Sequence, residues 1–136
     1  MTVKNNNDMD SLGNLEKVWS EINTVVNKIG RDPQSVSLVA VSKTHPVDAI
    51  RPILEAGQRL FAENRVQEAE GKWPRLKLDY PDVRLHLIGP LQSNKVRQAL
   101  ALFSVIETLD RPKLAYALAR VMKETNQRPD IMIQVN

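Results

Sequence analysis

The chain predicts an α/β fold in which short parallel strands alternate with amphipathic helices, and three observations carry that reading. Apolar runs of strand length recur five times, at about 36–42, 60–62, 83–88, 103–108 and 131–135. The segments between them carry apolar residues at the three-and-four spacing of one helix face. The first run, 36–42, is apolar without strict alternation, as in a strand buried on both faces of a parallel sheet. Strands alternating with helices argue for βαβ units and a parallel sheet.

In chain order, residues 1–10 are polar and predict a disordered tail. From Ser11, the set Leu12, Leu15, Val18, Trp19, Ile22, Val25, Val26 and Ile29 marks one helix face, with Asp10 or Ser11 able to cap it and Gly30 suited to its C′ position. Strand 1 follows at 36–42. Pro46 opens a helix bearing Val47, Ile50, Ile53 and Leu54 and stopped by Gly57, and Pro52 within it predicts a kink. After strand 2 a helix from Arg65 carries Val66, Ala69 and Trp73, with Pro74 disturbing its end. After strand 3, Ser93 is a natural N-cap for a helix carrying Val96, Ala99 and Leu100. After strand 4, Asp110 is placed to cap a helix over 112–125 that turns Leu114, Leu118, Val121 and Met122 inward, and strand 5 spans 131–135.

Bulk properties exclude several function classes. A chain of 136 residues can bury a core, and 42% hydrophobic with 26% charged residues is globular composition. No apolar stretch approaches the roughly 20 residues of a membrane span, and the N-terminus lacks a secretory apolar core. The absence of cysteine removes disulfides and thiolate metal sites and points to a cytoplasmic location. A net charge of +3 spread among acids argues against nucleic-acid binding. Two histidines, at 45 and 86, without clustered carboxylates do not make a metal site.

In parallel sheets of this kind, chemistry gathers beyond the C-terminal strand ends. Those ends hold Lys43, Glu63 with Asn64, Gly89, Thr108 with Asp110, and Asn136. Lys43 is the most informative of them. Burial lowers a lysine pKa, and the neutral amine is the form that attacks an aldehyde, so a lysine where a buried strand emerges is a candidate Schiff-base residue. The plain alternative, a structural lysine reaching solvent, stays open on position alone.

Two segments make a resemblance specific: Leu38-Val39-Ala40-Val41-Ser42-Lys43-Thr44 and His86-Leu87-Ile88-Gly89-Pro90-Leu91-Gln92-Ser93-Asn94-Lys95. With Glu63-Asn64-Arg65-Val66-Gln67-Glu68, and the shorter Leu109-Asp110-Arg111 and Gln134-Val135-Asn136, they resemble the signature blocks of the pyridoxal phosphate homeostasis proteins, in order from about Ser11 onward. The resemblance implies a fold similar to the N-terminal barrel of alanine racemase, a (β/α)8 TIM-barrel type. Here that is a partial barrel of about five parallel strands over 11–136, preceded by an N-terminal helix and lacking the last strands. It implies that Lys43 forms an aldimine with pyridoxal 5′-phosphate and that Asn64, His86 and Asn136 stand beside the cofactor. Structural readings remain beside these roles: Asn64 as a turn-forming side chain, His86 as a locally satisfied core histidine, and Asn94-Lys95 as a first helical turn.

Two departures matter. The family usually has Gly where this chain has Ala62, which is acceptable only at negative φ. Such barrels take about 250 residues and bind phosphate after strands 7 and 8, whereas the five glycines here form no phosphate loop, so the chain is expected to be truncated. The reading that follows is a non-catalytic cofactor carrier in pyridoxal phosphate homeostasis, with apo-enzymes as recipients. The full-length relatives are expected to be monomeric and the shorter chain to self-associate. The alternatives are a cofactor-free interaction module and an amino-acid racemase, the latter disfavoured because Tyr80 and Tyr116 lie away from the rim.

Overall fold

A computed structural model describes residues 6–136, with side chains from Asp10 onward. The described residues group into two compact units, 6–38 with 45–58, and 39–44 with 59–136.

The first unit holds α1 (Asn6–Lys28), a 3-10 turn (Pro33–Ser35) and α2 (Val47–Glu55), with α1 packed against α2. Helix α1 begins five residues before the expected start, so residues 6–10 are helical and not tail, and residues 1–5 lie outside the described residues. Asp10, in the opening turns, suits the positive end of the helix dipole. With the helix starting earlier, Asp10 and Ser11 fall inside it and not at its N-cap position. Val26 is buried and Leu12, Leu15, Trp19 and Ile22 are half-buried, whereas Val18, Val25 and Ile29 are exposed. The eight-residue apolar stripe is broader than the strip that is covered.

Gly30 terminates α1 as expected. Its φ is +67°, its N–H donates to Asn27 O, and Arg31 N–H reaches Val26 O, the paired bonds of a left-handed helix stop. Asp32 then accepts from Gln34 N–H and Pro33 opens the 3-10 turn. Helix α2 runs through Pro52, buries Ile50 and Leu54, and ends before Gly57 at φ +99°.

The second unit contains one sheet of β1 (Ala40–Val41), β2 (Leu60–Glu63), β3 (Arg84–Leu87), β4 (Val105–Leu109) and β5 (Asp130–Ile133). The strands run in sequence order and every neighbouring pair is parallel, the succession of a (β/α) barrel wall. Its helices are α3 (Val66–Glu70), α4 (Trp73–Asp79), α5 (Val96–Leu102) and α6 (Pro112–Thr125). Strand 1 is far shorter than the predicted 36–42 and is not buried on both faces, since Val41 is 48% exposed. A strand at the sheet edge extends only as far as its single partner pairs with it, here at Phe61 and Ala62.

Parallel register fixes the two faces of the sheet. Phe61 pairs with Leu85, and Glu63 with Leu87 and then Ile106, on the face that carries the core. All five are buried, and Phe61 packs on Trp73 with ring centroids 5.0 Å apart. The opposite face carries Val41, Ala62, His86 and Val105 in register. Arg84 pairs there with Asp130 at 2.7 Å.

Three helix starts differ from expectation. The single helix from Arg65 is two, broken at Gly71-Lys72, and Pro74 sits in the first turn of α4. Proline is tolerated there because the missing N–H would have no helical partner. Ser93 is inside a 3-10 turn (Ser93–Lys95) whose cap position is Gln92. Asp110 does not cap α6; Arg111 occupies that position, and Asp110 instead pairs with the Arg111 guanidinium at 2.7 Å.

Candidate functional site at the carboxyl ends of the strands

Parallel strands bring every carboxyl end to one rim. Lys43 lies in the turn two residues past β1, with Ser42 N–H donating to Ala62 O and extending the ladder to its threshold. Lys43 is exposed, whereas Ser42 is buried. Thr44 has φ +65°, a left-handed conformation that costs a β-branched residue energy and must be imposed by its surroundings.

Those surroundings are a buried polar cluster behind the turn. Glu63, fully buried at the end of β2, accepts with Oε1 from Ser42 Oγ at 2.8 Å and from Trp73 Nε1 at 2.9 Å. The same oxygen lies 2.7 Å from Lys72 Nζ. The Lys72 ammonium also donates to Ser42 O and to Glu68 Oε1, each at 3.0 Å. Glu68 Oε1 accepts in turn from Thr44 N–H. The hydrogen bond from Lys72, then that from Thr44 N–H, holds the Glu68 carboxyl below the usual glutamate range. Sequence reasoning missed this cluster. In the sequence, Glu68 and Lys72 are no more than an acid and a base at i, i+4 spacing, and the one usable signal is an acid, Glu63, ending an apolar strand.

Asn64 follows β2 and is half-buried. The β3 exit presses directly on it: a Cβ placed on Gly89 would lie 2.0 Å from Asn64 O. Gly89 O also accepts from Thr108 Oγ1 at 2.7 Å, tying the exits of β2, β3 and β4 together. Ala62 does not have positive φ and continues β2, so the usual glycine is not needed there.

His86 pairs in register with Ala62 on the face opposite the core cluster. Its Nδ1 stands 2.6 Å from Glu107 Oε1. The contact holds the imidazole through Nδ1 and leaves Nε2 as the ring atom free to meet a ligand. Glu107 is a second residue that sequence reasoning passed over; its position two beyond Val105 places it on the His86 face. Asn136 is not on a strand. It lies three residues past the end of β5, just beyond the Gln134 N–H bond to Leu109 O that prolongs the ladder, and is exposed.

A parallel sheet in sequential strand order with helices in its connections defines a protein of the (β/α) barrel class. No family model matches the chain. It is 44% identical over 131 residues to the pyridoxal phosphate homeostasis protein of Vibrio alginolyticus, covering 90% of this chain and 54% of that protein. The Escherichia coli K12 protein of the same name is 38% identical over 134 residues, covering 93% and 55%. Among solved structures, PipY of Synechococcus elongatus with PLP bound is 43% identical with a TM-score of 0.73, covering 85% of this chain and 54% of that one. An unknown protein from Bifidobacterium adolescentis is 26% identical with a TM-score of 0.87, covering 96% and 56%. The chain is a homologue of the pyridoxal phosphate homeostasis proteins and spans about half the length of the curated relatives it matches.

The residues present fit the aldehyde end of such a cofactor. Lys43 supplies a primary amine that is solvent-accessible while both its neighbours are held. The fit does not extend to the phosphate, because the described rim offers no clustered glycine amides.

Proposed function

We propose that the chain is the lysine-bearing portion of a pyridoxal 5′-phosphate carrier that acts in cofactor homeostasis without turning over a substrate of its own. The observation that carries this reading is Lys43, exposed on a left-handed turn at the rim and flanked by two pinned residues. The PLP-bound relative supports it. When bound, the cofactor supplies an aldehyde that a lysine amine can take up reversibly, as storage and delivery to apo-enzymes require. Asn64, half-buried just past β2, and His86, held through Nδ1 by Glu107, are the polar side chains this reading sets beside the cofactor. Asn136, past the carboxyl end of β5, is the fourth residue of that set, with Lys43, Asn64 and His86.

The non-catalytic part rests on the homeostasis name carried by the relatives and on the placement of the two tyrosines, neither of which offers an acid or base at the Lys43 turn. Tyr116 is 78% exposed on α6, and Tyr80, after α4, lies under the Arg59 guanidinium at 5.2 Å. Efficient racemisation needs such a residue at the reacting carbon. The test is incubation with pyridoxal 5′-phosphate, borohydride reduction and peptide mapping. The expected result is an adduct concentrated on Lys43 that disappears in Lys43→Ala while far-UV circular dichroism is unchanged. Labelling scattered over surface lysines, or none, overturns the assignment and leaves the cofactor-free module as the better reading.

A further inference from the structure

We propose that Glu63, Glu68 and Lys72 are positioning residues for Lys43, a carboxylate–ammonium–carboxylate brace that fixes the backbone on both sides of it. The inference rests on the reading of Lys43 as the cofactor lysine. Three contacts converge on the residues flanking Lys43, and none on Lys43 itself. Before it, the Ser42 hydroxyl is held by Glu63 and the Ser42 carbonyl by Lys72. After it, the Thr44 amide is held by Glu68. Lys72 joins the two carboxylates, so the brace acts as one unit.

The arrangement explains two features that a surface turn does not need. A left-handed threonine persists only where its surroundings over-determine it, and the Thr44 amide bond to Glu68 is that constraint. A lysine and a glutamate buried together are costly unless paired and hydrogen-bonded, and here Lys72 is 9% exposed and Glu63 is not exposed at all. The brace also separates the roles of two lysines near the same turn. Lys72 is committed to three acceptors as an ammonium, and Lys43 is the amine presented to solvent.

Glu68 is the accessible leg, with a side chain 30% exposed, so it can be altered without opening the core. The test compares wild type, Glu68→Ala and Glu68→Gln by the initial rate of pyridoxal 5′-phosphate labelling at Lys43 under borohydride. The exposed Lys17, Lys113 and Lys123 serve as internal controls. Glu68→Ala should slow Lys43 labelling about tenfold or more, because misplacing a reacting group by an ångström costs this much, and leave the controls unchanged. Glu68→Gln should recover most of the rate, since its amide oxygen still accepts from Thr44 N–H. Deuterium exchange at the Thr44 amide should quicken in Glu68→Ala only. Should Glu68→Ala not fold, Glu68→Asp, which withdraws the carboxylate by one methylene, carries the same expectation for Lys43.

Equal labelling of Lys43 in wild type and Glu68→Ala overturns the positioning role and leaves the cofactor lysine standing. Equal losses in Glu68→Ala and Glu68→Gln overturn it too, because charge and not geometry would then be at work. A wild-type chain that labels no lysine preferentially overturns the cofactor reading, and the positioning role with it.

Discussion

At the scale of single residues, Gly89 shows how little room the rim leaves. It does not have positive φ, so its glycine is demanded by proximity and not by backbone conformation. Any side chain there meets the Asn64 carbonyl, whose oxygen would lie 2.0 Å from the new carbon. Backbone cannot yield as a flexible side chain does, so Gly89→Ala should push the β2 and β3 exits apart. We expect a destabilisation of about 1–3 kcal/mol, read as a lower urea midpoint at unchanged slope. A variant with the wild-type midpoint would show that the two exits are not in contact in solution. In the sequence, Lys43 stands out through a strand expected to be buried on both faces, whereas β1 is two residues long and Lys43 is exposed, so it is the turn and not burial that sets this lysine apart. Glu107 was not legible in the sequence, because a glutamate two residues into an apolar strand is informative only once the register shows His86 on the same face.

At the scale of elements, sequence patterning located all five strands and most helices, and it failed where local signals competed. The segment from Arg65 to Trp73 reads as one helix whose end Pro74 disturbs, yet it breaks at Gly71-Lys72 and a second helix starts at Trp73. The break places Lys72 beside Glu63 and Trp73 at the head of α4, where its indole N–H reaches the same carboxylate. No periodicity announces this, since the reason for the break lies on another strand. The link from α3 to the β1 turn carries a pH dependence. Glu68 has a folded pKa below its ordinary value, through the bond from Lys72 first and from Thr44 N–H second. A group with a lowered folded pKa contributes stability that is present above its unfolded value and lost as pH falls through the folded one. Wild type should therefore exceed Glu68→Gln in urea midpoint at pH 7, with the gap closing as pH drops below about 4.3. A gap that stays constant down to pH 3 would mean that the Glu68 contacts do not hold in solution.

At the scale of the whole molecule, the sequential parallel sheet was legible because each apolar run lies one helix away from the next. The lengths of its outer strands were not, because an edge strand is limited by its partner and not by its own apolar run. That is why β1 shrinks to Ala40–Val41 although the run begins at Val36. The other edge carries a consequence for behaviour in solution. Among the described residues β5 pairs on one side only, with β4, and it is strongly apolar. Met132 is 49%, Ile133 74% and Val135 84% exposed. An edge strand with bare main-chain groups and exposed apolar side chains recruits another strand or surface unless a charge guards it. The 136-residue chain should therefore self-associate, with a mass by light scattering that rises with concentration. Ile133→Lys, placing a charge on the most exposed isoleucine of β5, should shift that rise to higher concentration without lowering the unfolding midpoint. Because Ile133 pairs with Leu109 through backbone register and is itself exposed, its side chain contributes little to the fold of the isolated chain. A constant monomer mass for the wild-type chain across the concentration range would show that this edge is not sticky, and that its apolar residues are covered within the chain.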